Sequence, residues 1–116
     1  MLRTMLKSKI HRARVTEANL RYEGSITLDG KLIRKADILP GEKVEVLNLN
    51  TGGRLETYVI KGRPGSGVVC LNGPAARGAS VGDEVIIVSY VTVDAKEAAG
   101  IKPRIIKVNA RNRIES

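Results

Sequence analysis

Two adjacent residues pose the sharpest chemical question in this chain. Gly24 and Ser25 sit in the stretch LRYEGSITLDG, residues 20–30. A Gly-Ser pair normally marks a turn, but a serine hydroxyl next to a glycine carbonyl can also break the peptide bond between them. Further side chains suit work on an anionic molecule. Arg54 can grip a carboxylate with two N–H groups, and Lys9 adds a point charge. Tyr58 carries a phenol, which holds its proton at neutral pH and can donate it. Asn72 offers an amide that both donates and accepts. Taken singly, each has a plainer reading: a turn hydroxyl, a solvated charge, a packed strand tyrosine. Alternation along RLETYVIKG puts Arg54 and Tyr58, four residues apart, on one strand face and Thr57 on the other.

Composition narrows the choice. A net charge of +8 and a pI near 10.0 favour anionic partners: nucleic acid, a membrane surface or acidic small molecules. With three Tyr and no Phe or Trp, the chain lacks stacking platforms for single-stranded nucleic acid. A basic β-barrel that grips nucleic-acid phosphates is the alternative reading. The one cysteine, Cys70, cannot form an internal disulfide, and its neighbours in GVVCLNG suggest an inert, buried thiol. With one Cys and one His, no metal site is expected. The spacings of dinucleotide and phosphate loops are absent, and a hydrolase triad would have to be built on the lone His11. No apolar stretch reaches the ~18 residues that span a bilayer. The start, MLRTMLKSKIHRAR, has no long apolar block and no small-residue cleavage pattern, so the cytosol is the expected compartment.

These residues need a scaffold, and the patterning supplies short strands. A chain of 116 residues, 42% hydrophobic and 28% charged, suits one compact domain. RTMLKSKIHRARVTE alternates as a strand, with Lys7, Lys9 and His11 on one face and Leu6, Ser8 and Ile10 on the other. EANLRYEG reads as a turn region, SITL as a short strand, and DGKLIRKADIL as a short helix capped by Asp29. KVEVLNLN and RLETYVIKG form a hairpin around NTGGR. VVCLN is a short buried strand, GPAARGA a short helix or turn, and DEVIIVSYVTV the most apolar strand. Asp94 caps one or two helical turns in DAKEAAG, and the basic tail KPRIIKVNARNRIES starts as an edge strand and then frays. The pattern Gly-acid-x-Val recurs at Gly41-Glu42 and Gly82-Asp83, which fits two halves of a pseudo-twofold barrel or ordinary turn chemistry. The expected fold is mainly β.

Four pieces occur in one order: KSKIHRARVT with Lys9 and His11, YEGS at 22–25, RLETY at 54–58, and LNGPAA at 71–76 ahead of the strand in VGDEVIIVSY. Together they resemble the pyruvoyl-dependent aspartate decarboxylase family, over residues 1–93. The resemblance implies a small six-stranded double-psi β-barrel with short helices. It implies a homotetramer with sites at subunit boundaries, and no nucleic-acid or membrane partner. It also implies that the chain cuts itself into residues 1–24 and 25–116. The Ser25 hydroxyl attacks the Gly24 carbonyl, and an N-to-O shift turns the peptide into an ester. Glycine suits that position because it has no Cβ to crowd a tetrahedral carbon. β-Elimination frees the chain ending at Gly24, and the remaining dehydroalanine hydrolyses to a pyruvoyl group and ammonia. Such a group does the work of pyridoxal phosphate: it forms a Schiff base with L-aspartate and accepts the electron pair as CO2 leaves. The product is β-alanine for pantothenate synthesis.

By the same resemblance, Lys9, Arg54 and Thr57 bind substrate, Thr57 also orients the bond during cleavage, and Tyr58 returns the proton. Backbone N–H groups at Gly73 and Ala75 would hold a substrate carboxylate. Pro74, where many relatives have alanine, has no N–H to add but suits a first helical turn. Asn72 is expected to hydrogen-bond the Gly24–Ser25 region, and His11 to shape the site. Tyr22 and Glu23 are expected to position the cut or seal the pocket. Thr57, on the opposite strand face from Arg54 and Tyr58, then requires a bulge or a site between subunits, and the second is expected. A maturation factor is a further partner that a self-processing chain can take.

Overall fold

The computed structural model describes residues 1–22 and 24–115. Along the chain run β1 (Leu2–Arg14), β2 (Glu17–Asn19), β3 (Ser25–Asp29), α1 (Gly30–Lys35), β4 (Lys43–Asn48), β5 (Arg54–Gly62) and β6 (Val69–Asn72). A 3-10 helix (Gly73–Gly78), β7 (Glu84–Asp94), α2 (Ala95–Ala98) and β8 (Arg104–Lys107) complete it. The described strands form one sheet in the order β2-β6-β3-β5-β4-β7-β1-β8. Its continuous middle, β6 to β1, holds the six strands expected, and the short β2 and β8 extend it at either edge. Part of the turn region anticipated in EANLRYEG is thus strand: β2 pairs in parallel with β6. No described helix is long and apolar enough to cross a membrane.

The repeated Gly-acid-x-Val pattern corresponds to a repeat in structure. Gly41 and Gly82 take left-handed φ values of +87 and +94, which only glycine adopts without strain, and turn the chain into β4 and β7. β4 and β7 pair antiparallel, and so do the preceding β3 and β6. A short helix follows β3, and another follows β6. Inward residues of both halves meet in one core: Val44 and Val46 against Val85 and Ile87, with Ile10, Ile26, Leu28, Val59 and Leu71. Fully burying each of the larger side chains contributes about 1.5–3 kcal/mol, which is what fixes the register of the strands.

Two features depart from simple alternation. β1 carries register shifts between Leu6 and Ser8 and between Ile10 and Ala13, with Arg12 at φ 65. The first frees Lys7 to reach Glu42 Oε2 at 2.7 Å and the Asp37 carbonyl. The basic tail does not fray after its edge strand. Asn112 is buried and donates to the carbonyls of Arg14 and Gly67, both at 2.8 Å, while the Arg14 N–H donates back to its Oδ1. Val108 bridges to Ile114. A polar side chain that satisfies three backbone groups at once is a stronger anchor than the tail's composition suggests.

Candidate functional site

β3 begins at Ser25 and lies between β5, its parallel neighbour, and β6, its antiparallel one. Ile26 and Leu28 point into the core, so Ser25 and Thr27 share the opposite face. The register pairs Ser25 with Asn72 and Thr27 with Cys70. Four polar side chains therefore meet on one face of two strands. The Asn72 amide donates to Ser25 Oγ at 2.8 Å and to Thr27 Oγ1 at 3.0 Å. The Cys70 thiol donates to Asn72 Oδ1 at 3.2 Å. Ser25 is 0% exposed and Asn72 3%, so these bonds face no competition from water. Burial, followed by the charge of Glu17 and a hydrogen bond to it, pushes the Cys70 thiol above its ordinary pKa and keeps it protonated.

Gly73 follows directly, at φ +59. A Cβ on Gly73 would lie 2.5 Å from the Tyr22 carbonyl oxygen and 2.8 Å from the Gly24 nitrogen. The backbone here touches the backbone beside the Gly24–Ser25 bond, and no side chain fits between them. A Cβ on Gly24 would lie 3.2 Å from Pro74 Cδ. Pro74 stands at the start of the 3-10 helix, where its missing N–H leaves no helical bond unmade. The space beyond is a cleft bordered by Gly24, Leu55, Glu56, Thr57, Tyr58, Pro74 and Ala75. A neighbouring cleft, which shares Leu55 and Pro74, is bordered by Arg54 and Arg77.

Several sequence expectations come together here within one chain: Gly24, Ser25, Thr57, Tyr58, Asn72, Gly73, Pro74 and Ala75. Thr57 needs no bulge, since β4 and β5 pair without a register shift. It is half-buried on the inward side of β5 and borders the same cleft as Gly24. Thr57 thus lies beside Gly24 at the edge of a cleft within one chain. Arg54 and Tyr58 project from the outer side of β5, as alternation requires. Arg54 is held by Glu45 at 3.1 Å, and Glu45 also accepts from the Tyr90 hydroxyl at 3.1 Å.

Lys9 and His11 are not gathered into this cleft. Both lie on β1, beside β7 and β8, and border neither cleft. Desolvation, then the positive charges of Lys9, Arg12 and Lys107, hold the His11 imidazole below its ordinary pKa despite the pull of Glu84. Tyr22 also departs from expectation: its ring is 52% exposed and borders neither cleft, while its carbonyl packs toward Gly73. Glu23 lies outside the described residues.

Sequence reasoning missed Thr27 and the contact of Cys70 with Asn72, while its reading of Cys70 as a buried thiol holds. Period-two alternation from Ser25 and from Asn72 would have put both on the face of Ser25. It also passed over Gly78–Gly82, Gly-Ala-Ser-Val-Gly, which has the spacing of a hydrolase nucleophile elbow. That stretch leaves a 3-10 helix and leads into β7 rather than turning from strand to helix, and its Ser80 is an exposed turn residue whose N–H donates to Asp83 at 2.9 Å. It is turn structure.

A model of the aspartate decarboxylase family matches residues 1–115. The aspartate 1-decarboxylase of Pelotomaculum thermopropionicum is 61% identical over 114 residues, covering 98% of this chain and 86% of that one. The enzyme of the same name from Thermoanaerobacter pseudethanolicus is 57% identical over 113 residues, 97% of each chain. One from Listeria monocytogenes is 56% identical, covering 99% of this chain and 91% of its own. Among solved structures, a rationally designed double-psi β-barrel protein superposes with a TM-score of 0.52 at 26% identity, over 71% of this chain and 90% of that one. The sheet described above is of that mainly-β, double-psi class.

Proposed function

The chain belongs to the aspartate decarboxylase family, and from that premise we propose that it cuts itself between Gly24 and Ser25 and then converts L-aspartate to β-alanine and CO2, a carboxy-lyase reaction serving pantothenate synthesis in the cytosol. The observation that carries this reading is the Asn72 hydrogen bond to Ser25 Oγ, 2.8 Å, with Gly73 pressed against the backbone beside the bond. Serine attack on the Gly24 carbonyl carbon moves negative charge onto the carbonyl oxygen as the Oγ proton leaves, and the Asn72 N–H holds Oγ in place for that attack. β-Elimination removes the Ser25 α-proton and expels the same oxygen as part of the Gly24 carboxylate, so one donor serves both steps. Water then replaces nitrogen at residue 25, releasing ammonia.

A pyruvoyl group at residue 25 supplies a carbonyl that accepts the electron pair of a departing carboxylate. The residues present fit it, since the face of Ser25 offers a buried amide donor and Gly24 itself edges an open cleft with Thr57, Tyr58 and Ala75. Arg54 and Lys9 supply the charge for the two carboxylates of aspartate, Thr57 orients the substrate at the cleft edge, and the N–H groups of Gly73 and Ala75 add donors. The Tyr58 phenol returns a proton to the α-carbon once CO2 has gone. Lys9 and His11 border neither cleft of their own chain. The reading therefore includes a homotetramer in which these two groups complete the cleft of a neighbouring copy.

Denaturing mass spectrometry of purified protein tests the reading. It should give two chains, residues 1–24 and a 25–116 chain lacking a free amino terminus, and borohydride with labelled aspartate should tag the longer one. Ser25→Ala should remain one polypeptide without decarboxylase activity. A single intact chain after long incubation of the unaltered protein, with no β-alanine formed, would overturn it.

A further inference from the structure

We propose that Glu45 is a positioning residue for substrate binding: its carboxylate, braced by Tyr90, aims the Arg54 guanidinium and leaves one edge of it open to a carboxylate. The proposal rests on the decarboxylase reading above, in which Arg54 grips aspartate. Three neighbouring strands build the arrangement. β4 lies between β5 and β7. Val44 and Val46 point into the core, so Glu45 between them stands on the outer face of the sheet. The register sets Glu45 opposite Glu56 on β5 and opposite Val88 on β7. Arg54 and Tyr90 are thus each one diagonal step from Glu45, on either side of it, within reach of long side chains. Glu45 Oε1 accepts from Arg54 Nη1 and from the Tyr90 hydroxyl, each at 3.1 Å. Lys43, a further cation that feels the Glu45 charge, bonds instead to Glu56 at 2.8 Å.

The partners differ in how far they can move. The Glu45 side chain is 17% exposed and that of Arg54 63%, so the anchor is sunk against the sheet while the guanidinium stands in solvent. An ion pair that exposed adds little to stability; what it supplies is direction. A guanidinium has five N–H groups, and Glu45 takes one, on Nη1. The Nε–Nη2 edge is left for a carboxylate to meet with two parallel hydrogen bonds. Arg54 borders a cleft that adjoins the one beside Gly24. Without its anchor, the long side chain would lose its rotamer freedom only when substrate arrives, and binding would weaken by that cost. Tyr90 steadies the anchor in turn. Desolvation, then its bond to Glu45, hold its phenol above the ordinary pKa, so it stays a donor to the carboxylate.

The test uses the processed enzyme, its two chains confirmed by denaturing mass spectrometry. Aspartate turnover, inhibition by succinate and a melting curve are measured for each variant. Glu45→Ala should raise both KM for aspartate and the inhibition constant of succinate about fivefold, the reach of one exposed ion pair, with kcat within about twofold and the melting temperature unmoved. Glu45→Gln keeps an acceptor for Arg54 and should hold both constants within about twofold. In an Arg54→Ala background, Glu45→Ala should change neither constant, because no guanidinium is left to aim. If Glu45 served only to offset positive charge, Ala and Gln would both tighten dianion binding. That result overturns the proposal, as does an equal loss in Ala and Gln, or the same loss in the Arg54→Ala background. Should the unaltered protein form no β-alanine, the decarboxylase reading fails and the proposal with it; normal turnover with KM unmoved in Glu45→Ala sinks only the role of Glu45.

Discussion

Gly73 meets two demands that no other residue satisfies together. Its φ of +59 lies where a side chain costs about 1–3 kcal/mol. A Cβ there would also stand 2.5 Å from the Tyr22 carbonyl. On the cleavage reading, Gly73→Ala should push the 3-10 helix away from the Gly24 backbone and abolish or nearly abolish cutting, read on a denaturing gel over hours. Asn72→Ala is a different lesion: the backbone stays, but the donor to Ser25 Oγ goes. Loss of one fixed donor at a developing anion costs on the order of a hundredfold in rate, which the same gel detects as slow rather than absent processing. Ser25, Asn72 and Gly73 stood out in the sequence only through the resemblance carried by YEGS and LNGPAA, since a Gly-Ser pair alone reads as a turn. Thr27 and the contact of Cys70 with Asn72 went unread because their value lies in cross-strand register, which depends on where β3 and β6 start and not on either segment alone.

At the scale of elements, Asp29 joins β3, α1 and the loop before β6. Its carboxylate accepts from the N–H groups of Lys31, Gly65 and Gly67, each at 2.8 Å. Burial alone would raise its pKa; the three N–H donors and Arg113 outweigh that and hold it below the ordinary value. A lowered folded pKa gives stabilisation that is complete above the ordinary carboxylate value near ~3.9 and lost as pH falls through the folded one. Asp29→Asn should thus flatten the acid limb of a stability-against-pH curve, and Asp29→Ala should cost about 2–3 kcal/mol in denaturant titration at neutral pH. The helix cap was legible, since Asp before an apolar helical run is a strong signal. The two loop contacts were not, being thirty-six and thirty-eight residues away in sequence. Nor was the anchored tail: its basic composition argues for solvent, and only the pocket that Arg14 and Gly67 build for Asn112 overrides it.

For the molecule as a whole, the charge of +8 has a use on the decarboxylase reading. A positive field draws a dianionic substrate toward the cleft, and salt screens it within ~8 Å at physiological strength. Raising salt tenfold from ~50 mM should lower kcat/KM for aspartate several-fold with little change in kcat. Lys9→Ala and Arg54→Ala should each raise KM, and mixed tetramers of the two variants should regain part of the lost kcat/KM if the two side chains meet across a subunit boundary. That arrangement is what one sequence least reveals, because alternation describes a strand's faces but not which copy of the chain they meet. The thirteen residues of β1 are bordered by β7 and β8. On the cleavage reading, this strand would end up in a short peptide held only by noncovalent pairing. Mature enzyme unfolded in denaturant should then recover at a rate that rises with protein concentration even for the barrel itself, since two pieces must find one another. The uncut Ser25→Ala chain should rebuild the same barrel at a rate independent of dilution: on that reading, processing would exchange a self-sufficient fold for one that, once lost, is hard to regain.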